Sequence, residues 1–87
     1  MTWNVEWHNA AVKELRKLDI PIQKKILRYF RSRFVGNENP RRFGKALVGD
    51  KTGLWRYRIQ GYRVICKIEN DSLLVLILRV GHRNNIY

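Results

Sequence analysis

Four arginines near the end of the chain have the residue type and spacing needed to hold a phosphate group. Two alternate along one predicted strand, one follows on the next strand, and one comes just after the last strand: Arg56, Arg58, Arg63 and Arg83. A guanidinium donates two parallel hydrogen bonds to phosphate oxygens and stays charged at physiological pH. The chemistry suggested is the binding and neutralisation of a phosphate.

The dipeptide Gln60-Gly61 separates two strand-like segments and predicts a two-residue hairpin turn. Such a turn places Arg58 directly opposite Arg63, a like-charge pair that costs a fraction of a kcal/mol up to about 1 kcal/mol. Taken alone, an arginine such as Arg56 or Arg58 on an exposed strand is more often a solubilising charge. The predicted opposition of Arg58 and Arg63 favours an anionic partner instead.

Three further side chains are candidates for the same surface. Lys67 shares the strand face of Arg63, and we expect it to contact substrate together with His82. His82 has an alternative interpretation as a packing or surface residue, and the terminal Tyr87 as part of a disordered end. The seven acidic residues are scattered without metal-ligand spacing, and the single cysteine provides no cysteine zinc site. We therefore expect no metal and no cofactor.

Composition supports one folded, strongly basic domain spanning residues 1–87. The chain has 18 Lys and Arg against 7 Asp and Glu, a formal charge of +11, and 45% hydrophobic residues. That hydrophobic share is too high for a disordered basic tail, and so large a positive charge makes nucleic acid the default partner. No basic segment leads into an apolar stretch at the start, and the apolar run 73–78 is too short to span a bilayer. We expect a soluble cytoplasmic protein without membrane contact.

Hydrophobic periodicity predicts an α+β fold in the order β-α-α-β-β-β. The first strand alternates through Trp3, Val5 and Trp7, and Asn9 is the expected N-cap of a first helix. A second helix begins around Asp19-Ile20-Pro21 and carries an apolar stripe to Phe34. An irregular connection over 36–53 precedes strands at 54–59, 62–69 and 72–80, with two-residue turns at 60–61 and 70–71. We expect an antiparallel meander with a two-helix hairpin packed on one face.

Strand alternation assigns side chains to the two faces of this sheet. The face with the arginines also receives Ile65 and the apolar residues Leu74, Leu76, Leu78 and Val80. The opposite face packs on the helices and receives Trp55, Tyr57, Ile59, Tyr62, Val64, Cys66, Ile68, Leu73, Val75 and Ile77. The last strand is apolar on both sides and is expected inside the sheet. Leucines would then form the floor of a groove flanked by arginines.

Two segments carry a resemblance to a known family. The segment at 53–66, GLWRYRIQGYRVIC, and the segment VGHR at 80–83 with the closing Tyr87 resemble the bacterial RelE/ParE toxin superfamily. The segment Glu14-Leu15-Arg16-Lys17-Leu18 is also similar to the family's opening helix. The resemblance covers essentially the whole chain and implies a single RelE-like toxin domain. It also implies a RelB-like antitoxin partner in a hetero-oligomeric complex.

The RelE branch of this family cleaves messenger RNA in the ribosomal A site without a metal. The resemblance implies attack of the ribose 2′-hydroxyl on the adjacent phosphate, giving a 2′,3′-cyclic phosphate and a 5′-hydroxyl. By position, Arg56 and Arg58 match the two basic strand residues and Arg63 the phosphate-stabilising arginine. Arg83 matches the residue proposed to protonate the leaving oxygen, and Tyr87 the tyrosine that stacks on the substrate base.

One departure from the family concerns proton transfer. The best-studied RelE toxins have lysines where this chain has Arg56 and Arg58, and arginine does not release its proton at neutral pH. We expect these two residues to stabilise charge on the phosphorane. The proton would then be taken by His82, by Lys67, or by the ribosome-bound RNA.

Two other functions are compatible with the same fold. The ParE branch inhibits DNA gyrase by binding it and has no RNase chemistry, and it shares the Leu-Trp-Arg strand. A non-catalytic RNA-binding or ribosome-binding module is the third class. The arginine trio with Arg83 and Tyr87 favours the RelE branch.

Overall fold

A computed structural model describes residues 3–33 and 39–82 and shows two helices and five strands. The elements are β1 (Asn4–Trp7), α1 (Asn9–Arg16), α2 (Ile20–Arg33), β2 (Lys45–Ala46), β3 (Leu54–Ile59), β4 (Tyr62–Glu69) and β5 (Leu74–His82). Two short 3₁₀ turns, Pro40–Arg42 and Gly49–Lys51, flank β2. The α+β class and the order of the predicted elements are confirmed.

The strands form one sheet in the order β1-β5-β4-β3-β2. β1 runs parallel to β5, and all other neighbours are antiparallel. β5 therefore lies inside the sheet, as its two apolar faces predict. The fifth strand, β2, was not predicted, because a two-residue strand is too short to show any alternation.

The two helices begin in different ways. His8, rather than the expected Asn9, is the N-cap of α1, and its Nδ1 accepts a hydrogen bond from the backbone N–H of Ala10 at 3.1 Å. Pro21 lies in the first turn of α2, where its missing N–H costs nothing. Phe34, expected to end the apolar stripe of α2, is outside the described residues.

The hydrophobic core lies between the helices and one face of the sheet. The helices contribute Ala11, Leu15, Ile26 and Phe30, and the sheet contributes Tyr57, Ile59, Val64, Cys66, Val75, Ile77 and Val80. The ring of Phe30 packs edge-on against Tyr57, with centroids 5.6 Å apart. Gly44 lies so close to this ring that a Cβ there would stand 2.8 Å from the ring of Tyr57. The helix face of β3 and β4 is thus confirmed as the core face.

The connection between β4 and β5 differs from the prediction in two ways. The expected two-residue turn at 70–71 is wrong, since four residues, 70–73, join the strands and Leu73 adopts a φ of 49°. A β-bulge also shifts the register, so that Cys66 pairs with Ile77 but Ile65 pairs with Arg79. The bulge places Val80 opposite Val64 in the core, and its predicted position on the arginine face is wrong.

Glu14 connects α1 to β5 at this bulge. Its carboxylate accepts hydrogen bonds from Arg79 Nε at 3.1 Å and Nη2 at 2.9 Å, and from the Val80 backbone N–H at 3.0 Å. Burial raises the pKa of Glu14, but the hydrogen bonds from Arg79 and Val80 and the charges of Arg79 and Lys17 outweigh it and lower the pKa. The carboxylate is therefore held in its charged form.

Across residues 3–33 and 39–82, no helix is long and apolar enough to cross a membrane.

Tyr57 offers a test of how the connection is held to the core. Its buried hydroxyl donates to the carbonyl of Pro40 at 2.8 Å, 17 residues earlier in the chain. Replacing Tyr57 with Phe removes this bond, and we expect the free energy of unfolding in urea to fall by about 1 kcal/mol. Tyr29→Phe is the matched control, because its hydroxyl lies 3.4 Å from the Phe43 carbonyl and is only partly buried. An equal loss in both variants would contradict this account.

Candidate nucleic-acid interface

The sheet face turned away from the helices carries the predicted arginines. Arg58 pairs directly with Arg63 across β3 and β4, and Arg56 pairs with Ile65. Gln60 begins the two-residue turn with a φ of 57°, a left-handed conformation that non-glycine residues adopt at a cost. The predicted hairpin register is confirmed over its whole length. We call this surface the arginine face, and its basic members on these strands are Arg56, Arg58, Arg63 and Lys67.

The arginine face has a buried residue of its own. Ile65 is 3% exposed yet does not belong to the core cluster between sheet and helices. Arg56, its cross-strand partner, and Arg63, two residues away on the same strand face, are both half-buried with buried Nε atoms. Arginine side chains commonly lay their aliphatic stems over apolar surface and leave the guanidinium ends in solvent. Both arginines are therefore partly fixed at their stems.

Arg56 has an unused hydrogen-bond donor. Within the described part of the chain, its buried Nε has no hydrogen-bond partner. A buried donor without an acceptor costs about 1 to 3 kcal/mol. The packing of Arg56 therefore carries an energetic cost in the folded chain.

One basic residue of this face, Lys45, was not predicted from the sequence. Lys45 on β2 pairs directly with Arg56, which gives a second like-charge pair beside that of Arg58 and Arg63. A shallow depression of about 300 Å³ lies here, lined by Phe43, Gly44, Lys45, Arg56 and Arg58. Lys45 lies in a segment without strand periodicity, so no sequence pattern indicated its position. The arginine face extends to the edge of the sheet.

Apolar side chains border the basic residues on the β5 side. Leu76 is half-buried opposite Lys67, and Leu74 is half-buried opposite Glu69. The expected leucine floor is therefore present at these two positions. Lys67 is exposed and its Nζ lies 3.5 Å from Glu69, so its charge is partly offset within the strand.

Of the remaining predicted site residues, the structure describes His82 and does not bring it to the arginine trio. His82 pairs with Tyr62 and packs edge-on against its ring, with centroids 5.7 Å apart. By strand alternation this places His82 on the side of Tyr62 and Val64, opposite to that of Arg63. Arg83 and Tyr87 are outside the described residues.

Metal-ligating side chains are dispersed in the structure. Among residues 3–33 and 39–82, no three His, Cys, Asp or Glu side chains are grouped so as to hold a metal ion. The buried Cys66 thiol lies in the core, where burial raises its pKa. The arginine face presents positive charges and hydrogen-bond donors.

The opposition of Arg58 and Arg63 should lower the stability of the fold by an amount that can be measured. Arg58→Gln removes the repulsion with Arg63, so we expect the free energy of unfolding to rise by a few tenths to about 1 kcal/mol, with a larger gain at low salt. Lys51→Gln, at an exposed turn, removes the same charge without a cross-strand partner and serves as control. A gain no larger than that of the control in urea titrations would show that the opposition costs nothing.

Comparison with known proteins places this fold in a family. The family model for the "ParE toxin of type II toxin-antitoxin system, parDE" matches residues 5–87. Toxin RelG of Mycobacterium tuberculosis is 30% identical over 87 residues, covering 100% of this chain and 98% of RelG.

Two solved complexes show the same fold. The toxin-antitoxin complex RelBE2 from M. tuberculosis matches with a TM-score of 0.87 and 28% identity, over 95% of this chain and 100% of that chain. The archaeal RelE-RelB complex from Pyrococcus horikoshii matches with a TM-score of 0.72 and 29% identity, over 98% and 99% of the two chains. With a family model that spans nearly the whole sequence, the chain belongs to the RelE/ParE superfamily of toxins from type II toxin-antitoxin systems.

Proposed function

We propose that this toxin is a metal-independent endoribonuclease that cleaves messenger RNA in the ribosomal A site and thereby inhibits translation. The observation that carries the proposal is the direct opposition of Arg58 and Arg63 on a sheet face that also pairs Lys45 with Arg56. Four cations held this close repel one another, and a polyanion offsets that repulsion. The resemblance to RelE toxins specifies RNA as the polyanion.

The reaction needs charge stabilisation at one phosphate and two proton movements. The ribose 2′-oxygen forms a bond to phosphorus while the bond from phosphorus to the 5′-oxygen breaks, which gives a 2′,3′-cyclic phosphate and a 5′-hydroxyl. Arg63, with Arg56 and Arg58, neutralises the negative charge that grows on the phosphorane oxygens. Donors fixed in advance around a developing charge supply a large part of a rate enhancement without needing a metal.

The two ends of the reaction require other groups. By family resemblance, Arg83 gives a proton to the leaving 5′-oxygen, and Tyr87 stacks on and orients the substrate base. Arginine does not release a proton to water at neutral pH, but an alkoxide oxygen is a stronger base than a neutral guanidine, and the guanidine then regains its proton from water. The proton of the attacking 2′-hydroxyl has three candidate acceptors. His82 lies on the opposite side of the sheet from Arg63, and the ammonium of Lys67 is paired with Glu69. These placements favour the ribosome-bound RNA itself as the acceptor.

The proposed partners are a RelB-like antitoxin, the ribosome and messenger RNA, all in the cytoplasm. Both similar complexes contain a RelB-type antitoxin, and in this chain a charge of +11 suits an acidic partner as well as RNA. We propose that antitoxin binding in a hetero-oligomeric complex keeps the toxin inactive.

Inhibition of DNA gyrase is the second candidate function. The matching family model is named for ParE, and ParE toxins have the same fold. The similarity to Toxin RelG and to two RelE-type complexes favours the RNase instead. The two candidates differ in the nucleic acid that is broken, so an assay of both decides between them.

Primer extension on a messenger in a purified translation system tests the proposal. We expect wild-type toxin to cut within codons that are being translated, and Arg63→Ala or Arg83→Ala to lose cleavage and growth arrest while still binding antitoxin. Lys51→Ala, at an exposed turn between β2 and β3, should cut normally. An intact messenger together with trapped, cleaved DNA in a gyrase assay would favour the ParE function.

Salt provides a second test, because phosphate contacts release counterions. We expect toxin affinity for ribosomes or single-stranded RNA to fall steeply between low and moderate salt, with a slope of about −0.7 per phosphate contacted. Arg58→Gln should make the slope shallower by roughly one contact. The same affinity at both salt concentrations would exclude a surface that binds phosphates.

A further inference from the structure

The β-bulge in β5 determines which residue stands beside Arg63. Below the bulge, Cys66 pairs with Ile77, and above it, Ile65 pairs with Arg79, so that Leu78 is the extra residue. Beyond the bulge, Gly81 pairs with Arg63. Without the extra residue, every later partner would shift by one and Val80 would be opposite Arg63.

A glycine at this position places no side chain against Arg63. Side chains directly opposite in an antiparallel pair have Cβ atoms roughly 4.5 to 5.5 Å apart. Valine opposite Arg63 would therefore stand against the stem of the arginine, on the face where a phosphate must approach. The bulge instead turns Val80 into the core, where it is 2% exposed, and brings Gly81 to the arginine face.

A bulge leaves its extra residue unpaired and locally disrupts the ladder of backbone hydrogen bonds. Directly after the bulge, Glu14 of α1 contacts β5 with a single carboxylate. Its Oε1 accepts from the Val80 N–H at 3.0 Å, and the same group binds Arg79 through Nε and Nη2. The two residues that follow the extra Leu78 are thus both held from the neighbouring helix.

A simple stabilising ion pair does not account for this arrangement. The Arg79 side chain is 50% exposed, and ion pairs at such exposure contribute about 1 kcal/mol or less. The bond to the Val80 N–H is different, because it is part-buried and fixes the backbone at the point where the register changes. The hydrogen bond from the Val80 N–H to Glu14 is therefore the contact that a surface ion pair would not explain.

We propose that Glu14 is a positioning residue for the arginine face: it fixes the bulge at Leu78, so that Gly81 stays opposite Arg63 and a phosphate reaches the Arg63 guanidinium. This role rests on the proposed RNase function. Glu14 touches no substrate and acts through the register of β5.

Three variants separate the backbone contact from the ion pair. Glu14→Ala removes both, and we expect kcat for messenger cleavage to fall on the order of 10- to 100-fold with KM little changed, since small misplacements of reacting groups cost this much. Glu14→Gln keeps an acceptor for the Val80 N–H, and Arg79→Ala keeps the carboxylate, so each should stay within about threefold of wild type. Asp71→Ala, in the exposed β4–β5 turn, controls for the loss of a negative charge and should match wild type.

The register itself is measured by NMR on the same full-length proteins. In Glu14→Ala, we expect faster amide exchange at Val80 and weakened cross-strand contacts between Arg63 and Gly81, whereas Glu14→Gln should keep both. Unchanged contacts and exchange in Glu14→Ala, or cleavage as fast as wild type, would overturn the proposal. If wild-type toxin cleaves no messenger, the proposed function fails, and the NMR measurement still decides whether Glu14 holds the bulge.

Gly81→Val tests the open position without touching Glu14. Gly81 is not among the described glycines with positive φ, which are Gly49 and Gly53, so its backbone conformation does not exclude valine. We expect kcat to fall on the order of 10-fold or more while the Val80 amide keeps its slow exchange. Cleavage at the wild-type rate would show that space beside Arg63 is not required and would overturn the proposal.

Discussion

The register between β3 and β4 is the constraint on which the arginine face depends. Since side chains alternate along a strand, a slip of one residue would turn one strand over relative to the other. Either Arg56 and Arg58 would enter the core and Tyr57 would turn out to solvent, or Arg63 would enter the core and Val64 would turn out. Burial of Tyr57 and Val64 against the helices therefore fixes the arginines on the other face. Apolar packing on one side holds together a set of like charges on the other that would otherwise move apart.

The part of the fold that could be predicted from sequence is the part governed by local alternation and turn chemistry. The hairpin around Gln60-Gly61 was predicted with its full register, because both strands alternate cleanly and a two-residue turn allows one pairing. The placement of β5 inside the sheet followed from its two apolar faces. These inferences needed no knowledge of residues distant in the chain.

The features that could not be predicted depend on contacts between distant segments. The bulge at Leu78 is held by Glu14, 64 residues earlier, and the strand containing Lys45 exists only through its pairing with β3. The N-cap at His8 was missed by one residue, because Asn is the stronger cap by type and the choice depends on where β1 ends. Lys45 is part of the arginine face, and the bulge and the start of α1 belong to the elements that lie beside or behind it. At these positions, contacts between distant segments decide the structure, and local sequence preference does not.

The arginines also limit what this surface can do as a catalyst. A lysine near other cations can lose its proton at neutral pH and act as a base, whereas an arginine keeps its charge. In the proposed reaction, arginine at both strand positions would give permanent charge for the phosphorane and give up proton abstraction. His82 is on the far side of the sheet from Arg63, and the Lys67 side chain is paired with Glu69, so neither of these two candidate bases is well placed beside Arg63. A toxin built this way would depend on its RNA being held in line for attack, which is what binding in the ribosomal A site would provide.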